Sequence, residues 1–494
     1  MPLDPAARIA KLEAELAARD AELTARDARL AARDARLAEV EAIVAKQAAQ
    51  IELLLEKLGK NSSNSDLPPS SDGPGAAGRG EHRRKKPKSA RNRGGQKGHR
   101  GAHRGLIAAD EVQEVVDLFP ACCTGCAAAL ATVPHGEPER YQLVDVVLGG
   151  RHVKEWRLHE CECDRCGALT RAPYDPAVIP SSPFGPRLRA VVAMLTGAYH
   201  ISRRQTSRVL LELLAIDISV GSVSNIEAQA SAALVVAAHE SERAVEAAQV
   251  KHADATTWLL AGATRSLWTL ACTTATVYRI FTDGRRDTVR PMFGASVGIL
   301  ISDRAAVFDF WAMSLRQVCW AHLLRRFIAF SQRDGPAGVL GRELLDCASL
   351  VFEYWHAFRD GTLDRAELAS WMRPVKQHVE SVLARAMTAG ILRLSGSCAN
   401  ILAHREALWT FVAHDGVEPT NNHAESALRP FVLWRKRSFG CQSERGLRFA
   451  ERMMTVVHTA RKQGKDVLDF LVRTITAHGA GMTMPALIGD ATPA

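Results

Sequence analysis

A chain of 494 residues, 47% hydrophobic and 24% charged, has room for about three domains and enough apolar material for packed cores. No apolar run approaches the ~18 residues of a spanning helix. The N-terminus, with Asp4, Arg8 and Lys11, lacks a secretory pattern, so a membrane or exported protein is not expected and a cytoplasmic one is. The net charge of +9 is concentrated: eleven Lys or Arg against Glu81 alone give residues 79–104 a local +10. Such a block marks a polyanion contact.

In chain order, residues 1–59 are predicted to form a coiled coil. Ile9, Leu16, Leu23, Leu30, Leu37, Val44, Ile51 and Leu58 recur every seven residues, and the other seam position holds Leu12, Arg19, Arg26, Arg33, Val40, Gln47 and Leu54. Three seam arginines weaken the coil and make its middle selective about partner and register. Residues 60–106 read as a turn-rich linker followed by a basic arm, with Arg83, Arg84, Lys85, Lys86, Arg91, Arg93, Lys97 and Arg100 as candidate phosphate contacts.

Six of the eleven cysteines fall between Cys122 and Cys166, a local cluster and not a disulfide framework. Cys123, Cys126, Cys163 and Cys166 form two C-x-x-C knuckles, so residues 107–176 are expected to be a small module closed by a structural Zn²⁺. Cys122 and Cys161 leave the ligand choice open by one residue on each side. A thioredoxin-like redox pair is disfavoured, because neither knuckle opens a helix after a buried strand.

Residues 177–246 read as helical. Ser202 is placed to cap one helix, residues 215–219 to turn, and Ser219 to cap a second helix that carries Ser222, Ser224, Asn225 and Gln229 outward. A helix-turn-helix with Ser222 and Asn225 on DNA and an ordinary helical hairpin both fit. Residues 247–331 then alternate β-rich runs with one helix, at 286–293, and two runs matter most. The strand 251–260 carries Asp254, and the strand 296–303 ends in Asp303. Three strands, a helix and a fourth strand is the order of a ribonuclease-H-like α/β core, which sets the first and fourth strands side by side and parallel. Residues 317–320 supply a fifth strand, 332–409 a helical insertion, and 410–494 the last part of the core and C-terminal helices. The fold class is thus multidomain and mostly α, with an α/β ribonuclease-H-like core. A third acid is sought on a late helix, where Glu425 follows Asn421 or Asn422 as a cap, with Asp309 and Glu418 as substitutes for Asp303 and Glu425.

Ala253–Asp254–Ala255–Thr256, the strand ending at Asp303, Cys319–Trp320–Ala321–His322, and above all residues 421–430 with Trp434–Arg435–Lys436–Arg437 resemble the insertion sequence 66 family of DDE transposases. The resemblance covers nearly the whole chain. It departs at Ala255, where Glu is common, and at Ser426, where Arg is usual. It implies Asp254, Asp303 and Glu425 as a catalytic triad holding two Mg²⁺ (Mn²⁺ as a substitute) about 3.5–4 Å apart for in-line phosphoryl transfer. Cutting at the transposon ends would be followed by attack of the freed 3′-hydroxyl on target DNA. Arg429, Arg435, Lys436 and Arg437 would touch the DNA backbone. Also implied are a bacterial, nucleoid-associated location, a homo-oligomer through the N-terminal coil, and accessory proteins of the same element. A non-catalytic zinc and helix-turn-helix regulator and a metal-dependent nuclease are the alternatives.

Overall fold

The computed structural model of the chain describes residues 5–58, 64, 160–162, 169–171, 182–295 and 297–489. The basic arm (Arg83, Arg84, Lys85, Lys86, Arg91, Arg93, Lys97, Arg100) and the knuckle thiols Cys123, Cys126, Cys163 and Cys166 lie outside the described residues. From the N-terminus come α1 (Pro5–Leu58), the antiparallel pair β1 (Glu160–Glu162) and β2 (Leu169–Arg171), α2 (Pro186–Ala193), α3 (Arg203–Leu214), α4 (Val220–Ala233) and α5 (Val235–Ala247). Next are β3 (Val250–Leu260), β4 (Ala263–Ala271), β5 (Thr276–Phe281), α6 (Arg286–Val289), β6 (Ile299–Ser302) and β7 (Arg316–Val318). The helices α7 (Trp320–Ser331), α8 (Gly335–Arg359), α9 (Arg365–Thr388), α10 (Leu394–Ala403), α11 (Thr410–Ala413), α12 (Asn422–Ser438), α13 (Glu444–Lys462) and α14 (Val467–Gly479) complete the chain.

The chain divides into two compact units. One holds α1 and α7–α10. The heptad repeat forms a single 54-residue helix, α1, whose seam residues Ile9, Leu16, Leu23, Leu30, Leu37, Val44 and Ile51 are all exposed. In α7–α10 the helices pack in sequence. Gly341 lets α8 lie close on the end of α7, where a Cβ would come 2.3 Å from the Ser331 nitrogen. On α9, a capping box of Asp364 and Glu367 fixes the start, and Leu368, Met372, Val375, Val379 and Val382 bury one face at helical spacing.

The second unit is built on a five-stranded mixed sheet in the order β5-β4-β3-β6-β7. The strands β3, β4 and β5 form an antiparallel meander, whereas β6 and β7 add parallel to β3. A two-residue link, Ala261 and Gly262 at φ +49° and +83°, turns β3 into β4 with the hand that matches strand twist. Strand alternation sorts two cores: Ala253, Trp268, Leu270, Val277 and Leu300 face Val245 of α5, Phe293 and Phe308. Trp258, Leu267, Tyr278 and Ile280 face Leu428 and Phe431 of α12 and Ala450 and Met454 of α13. The expected helix at 286–293 is split into the one-turn α6 and a 3₁₀ turn, because Pro291 has no N–H to continue it.

The edge strand β5 is covered in a specific way. Its outward amides at Thr276, Tyr278 and Ile280 donate to Thr459 Oγ1 (3.1 Å), Thr455 Oγ1 (3.0 Å) and Glu451 Oε1 (2.6 Å) of α13. Four helical residues rise about 6 Å and two strand residues about 6.6 Å, so the two ladders stay in step. The helix satisfies amides that an edge would otherwise leave for another chain.

Ahead of the sheet, Ser202 caps α3 with Gln205 in a reciprocal box, and Ser219 caps α4 through the Ser222 amide. Ala215 closes α3 in the left-handed region. The two caps and the turn between them are those the sequence predicts.

Candidate active site

The first two acids are set by strand register. β3 and β6 pair in parallel as Val250↔Ile299, Lys251↔Leu300 and His252↔Ile301. Two residues further along the same register come Asp254, the fifth residue of β3, and Asp303, just past the end of β6. The pleat turns Asp254 toward the side covered by α12, since its neighbour Ala253 faces the other core. Both acids are half-buried. Asp254 Oδ1 accepts from the Ala255 amide (2.8 Å) and Asp303 Oδ1 from the Ala305 amide (2.9 Å). The chain leaving β6 is fixed by Arg316, whose Nη2 donates to the Asp303 carbonyl (3.1 Å).

Asp309 is occupied elsewhere. It faces Arg286 (3.4 Å) and the fully buried Arg316 (3.5 Å), whose guanidinium burial pushes below its ordinary pKa. Glu418 is exposed and precedes α12.

Glu425 sits on the first turn of α12, with its amide on the Asn421 carbonyl (3.1 Å) and its Oε1 buried. The sequence expects Asn421 or Asn422 to cap this helix. Asn421 does occupy the N-cap position, yet its side chain makes no cap bond. It is fully buried and turned onto β3, where Nδ2 donates to the Ala253 carbonyl (2.8 Å) and Oδ1 faces His252 Nδ1 (3.3 Å). Its own amide donates to Cys319 Sγ (3.2 Å), and that sulfur lies within 4.8 Å of a Glu425 carboxylate oxygen. One residue therefore ties the helix of the third acid to the residue just before the first acid and to the residue just after β7.

Behind the acids His252 stacks on His423 (4.9 Å), and His423 Nε2 meets Lys462 Nζ at 2.8 Å. Lys462 also donates to the carbonyls of Cys272 (2.6 Å) and Ala275 (3.0 Å). Burial holds His252 down to about 4 and Lys462 down to about 8, and burial followed by Lys462 lowers His423. His252 is therefore neutral at pH 7 and adds no positive charge behind the acids.

The expected DNA-contact residues separate into two groups. Arg429, Lys436 and Arg437 are exposed on α12. Arg435 is turned back to β3, bonded to Thr256 Oγ1 (3.3 Å) and to the carbonyl and hydroxyl of Thr257. On α4, Asn225 is exposed, whereas Ser222 shares its hydroxyl with the Ser219 cap (3.0 Å).

The fold defines a class: a mostly helical protein built on a five-stranded mixed sheet, with Asp254 on β3, Asp303 just past β6 and Glu425 on the first turn of α12. The family follows from comparison with known sequences. The model of the family described as "Transposase IS66 family" matches residues 181–449, more than half of the chain, and this chain belongs to that family. A family of unknown function (DUF6444) matches residues 4–105. Two proteins of Sinorhizobium fredii, both described as uncharacterized, are similar. The protein y4hP is 25% identical over 387 residues, 71% of this chain and 69% of that protein. The protein y4qI is 28% identical over 176 residues, 33% of this chain and 31% of y4qI, so the match spans about a third of it. The family is described as one of transposases. Among the described residues no helix is long and apolar enough to cross a membrane.

Proposed function

We propose that the chain is a DDE-type transposase on a ribonuclease-H-like core, which cuts DNA at the ends of its element and joins the freed 3′ ends to target DNA. The in-register parallel pairing of β3 and β6, with Asn421 tying α12 to β3, is the observation that supports this reading. Asp254, Asp303 and Glu425 would hold Mg²⁺, or Mn²⁺ in its place, and three carboxylates are the donor set these hard cations take. When bound, such cations stabilise the charge on the entering and leaving oxygens of a phosphoryl displacement.

The chain's own residues do the rest. Strand and helix hold the three acids on separate rigid elements, and Asn421 keeps the helix seated on the strand. Arg429, Lys436 and Arg437 present positive charge along α12 for the phosphate backbone. Water is the nucleophile in the first displacement and the new 3′-hydroxyl in the second, so no covalent enzyme intermediate is required.

The remaining parts serve assembly and DNA contact. The exposed seam of α1 joins copies of the chain as a coiled coil. The basic arm Arg83–Arg100 lies on phosphates, Ser222 and Asn225 add contacts from α4, and Cys123, Cys126, Cys163 and Cys166 hold a structural Zn²⁺. The protein acts at the bacterial nucleoid. An end-joining assay with Mg²⁺, a labelled DNA end of the element and a plasmid target tests the whole reading. Asp254→Ala, Asp303→Ala and Glu425→Ala are each expected to lose cutting and joining by at least about a thousandfold while still binding the labelled end. Cutting without joining would indicate a nuclease, and binding unaffected by any variant in a chain that never cuts would indicate a regulator.

A further inference from the structure

The solvent face of α12 runs Asn422, Ser426, Arg429, Leu433 and Lys436, each exposed and each three or four residues from the last, with Arg437 exposed next to Lys436. It ends at Phe439, which is 72% exposed with φ +57°. A helix end of this kind favours Gly or Asn, because a side chain crowds the left-handed backbone. A bulky, mostly exposed ring in that conformation is not explained by folding. The aromatic cluster nearby stops at Trp258, Phe431 and Trp434.

The mounting of Phe439 is rigid. Gly440 follows at φ +85° so close to β3 that a Cβ would come 2.2 Å from the Leu259 carbonyl. Cys441 donates its amide to that carbonyl (2.9 Å) and accepts from the Ala261 amide (2.8 Å). One turn earlier Arg435 is bonded to Thr256 and Thr257. The tip is thus fixed at both ends to the strand that carries Asp254, and the exposed Lys436 and Arg437 precede Phe439 by three and two residues.

From these features we infer that Phe439 is a base-stacking residue, taking an unpaired nucleotide of the bound DNA while Lys436 and Arg437 lie on the flanking phosphates. An exposed π face at the end of a cationic helix face fits a nucleobase, and every base offers that face only when it is out of the duplex stack. Fourteen residues of helix separate Glu425 from Phe439, about 21 Å, which is about six nucleotides of one strand. The inference rests on DNA binding by this family and not on the three acids.

The test uses the full chain and fluorescence anisotropy with three probes: a blunt 30-base-pair duplex, the same duplex with a six-nucleotide fork, and oligo-dT of thirty nucleotides. Phe439→Ala is expected to weaken the forked and single-stranded probes about tenfold or more and the blunt duplex less than twofold. Phe439→Trp restores the preference. The salt dependence stays as in the wild type for Phe439→Ala and becomes shallower for Lys436→Ala with Arg437→Ala. Phe439→Gly loses the preference for unpaired bases while raising Tm by a few degrees, since glycine relieves the backbone. Equal weakening on all three probes, no weakening, a change in self-association in place of DNA binding, or a lowered Tm for Phe439→Gly would each overturn the inference.

Discussion

Replacing Asn421 by Ala is the most informative single change. The wild-type side chain satisfies two buried groups, the Ala253 carbonyl and His252 Nδ1, and the alanine leaves both without that partner. Each such loss costs about 1–3 kcal/mol, so the unit is expected to lose about 2–6 kcal/mol. For a folded unit of this size that lowers Tm by roughly 5–15 °C. The chemical effect is separate: freed from Ala253, the first turn of α12 shifts relative to β3, and a misplacement near 1 Å costs about a hundredfold in rate. Asn421→Asp separates the two effects. It keeps the acceptor toward His252 but sets an oxygen against the Ala253 carbonyl, so cutting of a labelled DNA end should still fall steeply. Calorimetry and a Mg²⁺-dependent cutting assay on the full chain measure both. Melting within a degree or two of wild type together with an unchanged cutting rate would show that Asn421 does not seat the third acid.

Other expectations come from the same geometry. Asp309→Asn removes the carboxylate facing the buried Arg316 and should destabilise the fold by about 1–3 kcal/mol after solvent screening, while any folded protein still cuts DNA. Thr459→Val withdraws the acceptor from the Thr276 amide at the covered edge of the sheet. A loss of about 1–3 kcal/mol in urea unfolding is expected, with hydrogen exchange faster at Thr276. His200, His252 and His458 are each held near 4 by burial, below the 6.5 of the unfolded chain. The unfolded state therefore binds more protons between those values. Their contribution is complete above pH 6.5 and is lost as pH falls toward 4, at most about 3 kcal/mol per histidine. Denaturant midpoints that stay level from pH 7 to pH 4.5 would contradict those burials.

Much of the core is legible in the residues because the sheet obeys local rules. The strand bearing Asp254, the acid just past β6 and the late helix of Glu425 are all legible as β-rich runs and as a helix beginning at Asn421 or Asn422. The start of α8 is not: Gly338 and Gly341 are weak helix formers, yet both lie inside the helix, Gly338 close on the Arg333 carbonyl and Gly341 close on Phe330 and Ser331. The role of Asn421 is hidden for another reason. A side chain at an N-cap is ordinarily bonded to its own helix, and its true partners lie 168 and 169 residues away. Glu451, Thr455 and Thr459 likewise read as a polar helix stripe, and only the sheet edge they cover reveals their use. The left-handed Phe439 carries no sequence signal at all, since Gly440 beside it suggests the turn one residue late.

The central claim is that Asp254, Asp303 and Glu425 converge on shared divalent cations. Fe²⁺ in place of Mg²⁺, with ascorbate and peroxide, makes radicals that cut protein backbone only close to the bound ion, and the fragments can be sized with a DNA end present. Convergence predicts three clusters of cuts, around residues 254, 303 and 425, all lost together in Asp254→Ala, Asp303→Ala or Glu425→Ala. Cuts at only one of the three stretches, or a pattern that survives any of the three substitutions, would contradict it.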